Sequence, residues 1–301
     1  MFNSNKPRKV TIIGGNGRMG RFFTQQLSAV GHDIQVLDRD NWSEAEQLLT
    51  NADLVLISVP IECTVDVIRK AAKYLNPNTA LADLTSIKTP ILQAMLEHHS
   101  GPVMGLHPMF GPMVPSFSSQ KVVICSGRRD DAFEWLLTLI EKEGGQLMKC
   151  LPEEHDRMMV AIQAIRNFHT FSLGIFLTET NINLDRSLDF ASPPYRLELG
   201  LVNRLFSQSA PMVVDIMLNT PERRDAIIRL AKTYSRLAEL IEQEDRDALI
   251  QEFQLASSLF SQQVGVWQSQ SGTAAISQRL TVDKGLMTSA TSSAQKTSIN
   301  N

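Results

Sequence analysis

The feature that most constrains this chain is a short run near its start, Val10-Thr-Ile-Ile-Gly-Gly-Asn-Gly-Arg-Met-Gly20. An apolar stretch, Val10 to Ile13, delivers the backbone into Gly15-x-Gly17-x-x-Gly20, and an amphipathic segment from Arg21 to Val30 follows at once. In that order the first glycine permits a tight turn. The second lets backbone approach a pyrophosphate, and the third lets a helix pack closely on a strand. The free N–H groups and positive dipole end of the new helix then face phosphate charge. Three spaced glycines also occur in ordinary turns. What argues for a dinucleotide is a second apolar run, Ile34 to Asp38, which ends in an acid 23 residues after Gly15, where a ribose-binding carboxylate belongs. Gly15, Asn16, Gly17, Arg18, Met19, Gly20 and Asp38 are therefore the expected cofactor contacts. Asp38 favours NAD, since a carboxylate there repels a 2′-phosphate, while the adjacent Arg39 leaves NADP open.

Between residues 8 and 150, short apolar runs alternate with helix-like segments, which predicts a largely parallel, doubly wound α/β sheet with right-handed crossovers. Asp53-Leu-Val-Leu-Ile-Ser-Val-Pro60 is nearly all apolar, as a strand covered on both faces should be. Ser43, followed three residues later by Glu46, predicts a capping box. The character changes at Leu151-Pro-Glu-Glu-His155. From 151 to 267 only helical periodicity is evident, with candidates at Asp156–Leu177, Tyr195–Ser207, Met212–Leu218, Pro221–Glu242 and Asp245–Val264. Pro193-Pro194 and Pro211 fall at their boundaries, where a missing N–H does least harm. The apolar face of Leu197, Leu201, Leu205 and Phe206 suits either a homodimer interface or burial within one chain. From 268 to 301 the chain turns Ser/Thr/Gln-rich and reads as a disordered tail.

Composition narrows the function classes. A formal net charge of −3, from 29 basic and 32 acidic residues, gives no reason to expect nucleic acid as a partner. No apolar run approaches the length of a membrane span, and the N-terminus lacks the apolar core of a secretion signal. Cys63, Cys125 and Cys150 are odd in number and lack metal spacing, so they read as reduced, buried thiols of a cytoplasmic protein, with no metal site expected.

Ligands in such sheets sit beyond the carboxyl ends of the strands. The polar residues to weigh are thus those in Ser58-Val59-Pro60, three further expected cofactor contacts, in Asp83-Leu-Thr-Ser-Ile-Lys88 and in Gly105-Leu-His-Pro-Met-Phe-Gly-Pro112. His107 ends a strand, with Pro108 and Pro112 stiffening the loop after it. It can serve as a base near neutral pH or simply bond to backbone at a strand end. Ser86 and Lys88 follow another strand into the same crevice, where a lysine suits phosphate or carboxylate, or is a solvated helix-start residue. His32, His98, His99 and His155 read as structural or exposed. In the helical half, Arg196 and Arg204 lie eight residues apart on an otherwise apolar helix, pointing within about 80° of each other. A guanidinium there needs a partner, either an acid such as Glu198 or a substrate carboxylate.

Taken together, Gly14-Gly-Asn-Gly-Arg-Met-Gly20, Ile57-Ser-Val-Pro-Ile61, Asp83-Leu-Thr-Ser-Ile-Lys88, Leu106-His-Pro-Met-Phe-Gly-Pro112 and Tyr195-Arg-Leu-Glu-Leu199 resemble the prephenate dehydrogenases. The likeness is greatest to the dehydrogenase part of the bifunctional chorismate mutase/prephenate dehydrogenases of enteric-type bacteria, and it runs from about residue 8 to 265. The resemblance implies a Rossmann-type domain followed by a helical substrate and dimerisation domain. It implies NAD-dependent oxidative decarboxylation of prephenate to 4-hydroxyphenylpyruvate on the route to tyrosine. His107 matches the family histidine that takes the hydrogen bond of the ring hydroxyl, and Arg204 the arginine that binds a substrate carboxylate. Lys88 and Ser86 match polar groups lining the crevice, with Arg196 nearby and equally suited to a structural role. Tyrosine often inhibits the family and is expected to share the crevice. In that family the mutase is a helical segment ahead of the dehydrogenase. Nothing of that length precedes residue 8 here, which fits either a truncated piece or a stand-alone relative, so no mutase activity is assigned. Relatives place a histidine where this chain has Asn167, with His169 two residues on, which leaves one side-chain contact open.

Rival readings remain. An arogenate or cyclohexadienyl dehydrogenase would use a substrate with an amino group in place of the keto oxygen. The β-hydroxyacid dehydrogenases share the Ser-Val-Pro strand end and a helical second domain. They need a lysine where this chain offers Arg166-Asn-Phe-His169. A nicotinamide-binding regulatory protein would bind cofactor without turnover.

Overall fold

The computed structural model describes residues 6–180 and 182–261; the expected tail at 268–301 and the end of the last expected helix lie outside them. The chain divides into two compact units, one up to Leu230 and one from Ala231. The family of strands in the first unit makes one seven-stranded sheet, ordered β2-β1-β3-β4-β5-β6-β7. Its strands are β1 (Lys9–Ile13), β2 (Asp33–Leu37), β3 (Leu54–Ile57), β4 (Ala80–Asp83), β5 (Val103–Pro108), β6 (Lys121–Arg128) and β7 (Gln146–Lys149). All neighbours run parallel except β5 and β6. Helices α1 (Arg18–Ala29), α2 (Ala45–Thr50), α3 (Ile61–Ala72), α4 (Thr89–His98) and α5 (Glu134–Lys142) alternate with the strands. This is the doubly wound architecture that the alternating pattern predicts.

Both faces of the sheet are covered, which explains why β3 is apolar at every position. Leu54 and Leu56 join Phe22, Phe23 and Leu27 of α1 in one core layer. Val55 and Ile57 join Ile68 of α3 and Ile91 and Met95 of α4 in the other. Each such side chain removed from water contributes about 1.5–3 kcal/mol. Register then aligns the carboxyl ends of the central strands: Ile13 pairs with Leu37 and Ile57, Ile57 with Asp83, and Asp83 with Gly105. From β1 the chain passes to β2 on one side and then crosses back to β3 on the other, and ligands in such sheets bind at the strand ends where the winding reverses.

The expected capping box at Ser43 is not formed. Instead, Asp38 caps a 3₁₀ turn, Arg39–Glu44, with Asn41 returning the second hydrogen bond. Ser43 sits inside that turn, and α2 starts at Ala45 without a side-chain cap. Asp38 stands immediately before the turn, where its carboxylate accepts from the Arg39 N–H, whereas Ser43 lies within the turn and not at its start.

Beyond β7 every described element is helical. They are α6 (Pro152–Met159), α7 (Arg166–Glu179), α8 (Leu184–Asp189), α9 (Pro193–Phe206), α10 (Ala210–Leu218), α11 (Pro221–Glu242) and α12 (Arg246–Ser261). Pro152, Pro193 and Pro211 occupy first-turn positions, as the missing N–H requires. The single helix expected over Asp156–Leu177 is interrupted by a π-helical segment, Val160–Ile165, and α8 carries too little periodicity to be read from sequence. Leu205, Val213 and Met217 form a small core with Phe168, Phe171 and Ile227. In the second unit Arg236 and Glu252 pair through both guanidinium nitrogens, with Nη2–Oε2 at 3.2 Å. Cys125 is buried as expected, whereas Cys63 and Cys150 are part-exposed; all three are free thiols. No described helix is long and apolar enough to cross a membrane.

Candidate active site

The glycine turn between β1 and α1 has the shape its sequence predicts. Gly14 has φ +82°, and a Cβ there would lie 2.3 Å from the Ser58 carbonyl oxygen. A Cβ on Gly20 would lie 2.4 Å from the Gly14 oxygen, and one on Gly15 would strike Val36 at 2.7 Å. Only glycine tolerates such approaches. Gly17 caps α1 in an extended conformation without a side-chain hydrogen bond, which leaves the helix dipole open to an anion. Arg18 and Met19 form the first turn of that helix. Asp38 arrives from the end of β2, where its carboxylate accepts from the Asn16 N–H at 3.2 Å. Ser58, Val59 and Pro60 continue from β3, with the Ser58 N–H donating to Ile13 at 2.8 Å. The structure thus brings all ten expected cofactor contacts to one end of the sheet. The cradle, the uncapped helix and the nearby carboxylate fit a dinucleotide.

His107 lies at the end of β5, only 5% exposed. The loop after it is anchored by aromatic packing: Phe110 meets Phe22 of α1 with ring centroids 5.3 Å apart, and Phe117 meets the same ring at 5.1 Å. The His107 Nδ1 lies 2.7 Å from Nε2 of His155, and the Nδ1 of His155 lies 2.8 Å from Asp156 Oδ1. On its other side, His107 Nε2 is 3.3 Å from the Gln163 amide nitrogen. Burial, together with the neighbouring His155, Lys88 and Arg223, holds the His107 pKa well below its ordinary 6.5, with Asp156 opposing. The imidazole is therefore uncharged at neutral pH.

Asp156 also accepts from the backbone N–H groups of Lys88 at 2.8 Å and Thr89 at 2.9 Å, at the start of α4. Burial alone would raise its pKa, but the hydrogen bonds from His155, Thr89 and Lys88 outweigh that and bring it down to about 2.

The remaining expected substrate contacts are placed unevenly. Lys88 departs from expectation: its side chain is wholly buried, ion-paired with Asp83, with a further hydrogen bond to the Leu106 carbonyl at 2.8 Å. An ammonium held by these two internal partners ties β4 to β5 and is sealed from solvent. Ser86 follows β4 as expected, and its buried hydroxyl has no hydrogen-bond partner among the described residues. Arg204 is exposed on α9, close enough to Arg166 for its charge to lower the Arg166 pKa after burial has done so. Arg196 donates to the Leu188 carbonyl, the structural role left open for it. Glu198 takes His169 at 3.1 Å and not an arginine.

Four residues that sequence reading passed over belong to this site. They are His155, Asp156, Gln163 and Arg223. His155 is 1% exposed, so its expected structural or exposed role is corrected to direct contact with His107. Arg223 is likewise buried and donates to the Ser86 carbonyl at 2.9 Å. The one signal that could have found two of them, His155 and Asp156, is the cluster Glu153-Glu-His-Asp156 beside a domain boundary. Among the described residues, no group of three or more His, Cys, Asp or Glu side chains is arranged to hold a metal ion.

Comparison with known proteins agrees with this geometry. A family profile described as "Prephenate dehydrogenase, nucleotide-binding domain" matches residues 19–149, and one described as "Prephenate dehydrogenase, dimerization domain" matches 151–255. The chain is 43% identical over 253 residues to the T-protein of Enterobacter agglomerans, covering 84% of this chain and 68% of that one. It is also 43% identical over 245 residues to the T-protein of Haemophilus influenzae, covering 81% and 65%. The chain therefore spans about two thirds of the length of these relatives. The fold is shared with a prephenate dehydrogenase from Aquifex aeolicus solved with hydroxyphenyl propionate and NAD+. That match has a TM-score of 0.62 at 18% identity and covers 85% of this chain and 98% of that one. A glycine cradle at a strand–helix turn, a buried histidine at the end of β5 and these likenesses converge: the chain belongs to the prephenate dehydrogenase family.

Proposed function

We propose that the chain catalyses NAD-dependent oxidative decarboxylation of prephenate to 4-hydroxyphenylpyruvate. The observation that carries this reading is the buried imidazole of His107 at the same sheet end as the glycine cradle, with a pKa that burial holds below its ordinary value. NAD, when bound, supplies the hydride acceptor. Gly15, Gly17 and the open end of α1 would receive its pyrophosphate, and Asp38 would hold its ribose hydroxyls. His107 accepts the proton of the ring hydroxyl as hydride leaves the same carbon. Loss of carbon dioxide then returns the bonding electrons to the ring, which becomes aromatic, and the phenolate oxygen recovers the proton from His107. A base so placed contributes about a hundred- to ten-thousand-fold. Ser86 and Gln163, the latter beside His107, offer polar contacts to the substrate, and Arg204 a carboxylate partner.

The test is NADH absorbance on mixing the purified protein with NAD and prephenate, with arogenate as the parallel substrate. His107→Asn is expected to lower kcat by about a hundredfold or more with little change in the KM for prephenate. A variant keeping most of its rate removes His107 from the role of base. Binding of NAD with no turnover of either substrate would favour a regulatory protein. Tyrosine, which shares the product's ring and three-carbon side chain, is expected to compete with prephenate in this assay.

A homodimer through the helical half is part of the proposal. It is supported by the dimerization-domain profile over 151–255 and by Phe253 and Leu255 of α12, at 75% and 70% exposure. The cytoplasm is the proposed compartment, consistent with three free thiols. Sedimentation at several concentrations tests the dimer.

A further inference from the structure

We infer that His155 and Asp156 form a positioning dyad that keeps the proton of His107 on Nδ1, so that Nε2 carries the lone pair that meets the substrate hydroxyl. This rests on the reading of His107 as the base and extends it to two residues of α6. Asp156 accepts three hydrogen bonds, from the N–H groups of Lys88 and Thr89 and from His155, and an ionised carboxylate can only accept. The Nδ1 of His155 must therefore carry hydrogen. A neutral imidazole then has a bare Nε2, which accepts from His107 Nδ1 across 2.7 Å. That leaves His107 Nε2 without hydrogen. The Gln163 amide nitrogen, a donor only, lies 3.3 Å from that atom and agrees with the assignment.

The dyad also sets the electrostatics. The charged and titratable groups acting on His107 are His155 and Asp156 from α6, Lys88 at the start of α4 and Arg223 from α11. Asp156 is the one anion among them, so it is the group that stabilises imidazolium when His107 holds the substrate proton. Because the same carboxylate caps α4 just past Ser86, the polarity of His107 and the position of the Ser86 loop are fixed by one side chain.

Three full-length variants test this. In Asp156→Asn the amide can donate to His155 Nδ1, which reverses both tautomers and places hydrogen on His107 Nε2. The expected loss in kcat is on the order of a hundred- to ten-thousandfold, with the KM values for prephenate and NAD within about threefold. His155→Leu removes the acceptor for His107 Nδ1–H while leaving the Asp156 cap on α4 intact, and is expected to lose kcat similarly. His155→Gln restores an acceptor oxygen and is expected to recover part of the rate. Nitrogen-15 spectra of the imidazoles read the tautomer without turnover: His107 should show a protonated Nδ1 and bare Nε2 in the wild type. Asp156→Asn should exchange them. Should Asp156→Asn unfold, His155→Leu and the wild-type spectrum still decide. Hydrogen on Nε2 of wild-type His107, or wild-type kcat in the folded variants, overturns the dyad. A wild-type protein with the expected tautomer but no turnover of prephenate overturns the proposed reaction and leaves the tautomer assignment standing.

Discussion

Arg223 donates through Nη2 to the backbone carbonyl of Ser86, 2.9 Å away and 137 positions earlier in the chain. Its other arm reaches the Ile216 carbonyl at 2.8 Å, and the side chain is all but sealed from water. Burial depresses its pKa, with Asp156 the anion that opposes the shift. One guanidinium thus fastens the start of α11 to the loop after β4 that carries Ser86. Arg223→Ala leaves two carbonyls unpaired, each worth about 1–3 kcal/mol. Unfolding in urea is expected to show a loss of about 3 kcal/mol. Arg223→Lys should recover little, because one ammonium cannot reproduce the two-armed geometry. A loss below about 0.5 kcal/mol would show that this link does not hold the loop.

The pH dependence follows from the depressed pKa of His107. In the unliganded enzyme the acid limb of kcat/KM is expected to fall below pH 6.5, the ordinary value for a histidine. Stability runs the same way. Between pH 6.5 and the lower folded value the unfolded chain binds more protons at this residue than the native one. The contribution of His107 is therefore full above 6.5 and is lost as the pH falls toward the folded value. Urea midpoints from pH 8 to 5 should decline, and His107→Asn should flatten the slope. An acid limb above pH 6.5 contradicts the electrostatics described here.

Gly20 tests the nucleotide cradle. Alanine is a better helix former than glycine by about 1 kcal/mol, yet its Cβ would lie 2.4 Å from the Gly14 carbonyl oxygen. The backbone must shift, and calorimetric titration should find NAD affinity reduced at least tenfold. Gly31→Ala is the contrast. Its φ of +89° makes alanine strained, but open space surrounds the position, so stability should fall by about 1 kcal/mol with NAD affinity unchanged.

Asp38 tests cofactor choice. Its carboxylate stands beside the Asn16 N–H at the edge of the glycine turn. Asp38→Ser removes the repulsion against a 2′-phosphate while Arg39 remains. The ratio of kcat/KM for NAD over NADP is expected to drop by about tenfold or more, a change of roughly 1.4 kcal/mol. An unchanged ratio would mean that other groups choose the cofactor.

What could be read before the structure was known depended on the range of the interactions. The glycine turn, Asp38 and the fully apolar β3 are legible because turn chemistry and two-sided burial act within a few residues of sequence. The capping box was misplaced because Asp38 and Ser43 both carry suitable oxygens, and geometry alone ranks them. Lys88 was read as facing the crevice because nothing in its neighbourhood announces Asp83 as a buried partner. His155, Asp156, Gln163 and Arg223 act on residues 48 to 137 positions away, and only the folded chain brings such partners together.

The π-helical segment Val160–Ile165 has a further consequence. An α-helix advances about 100° per residue, and a π turn absorbs one residue more than an α turn. Straightening the segment into ordinary helix would therefore spin the whole of α7 about its axis by close to a third of a revolution. Phe168 and Phe171 would swing away from the small core they share with Leu205, and Gln163 would lose its bearing on His107. The widened turn works as a phase corrector: it allows one continuous rod to satisfy the chemistry at its beginning and the packing along its length at once.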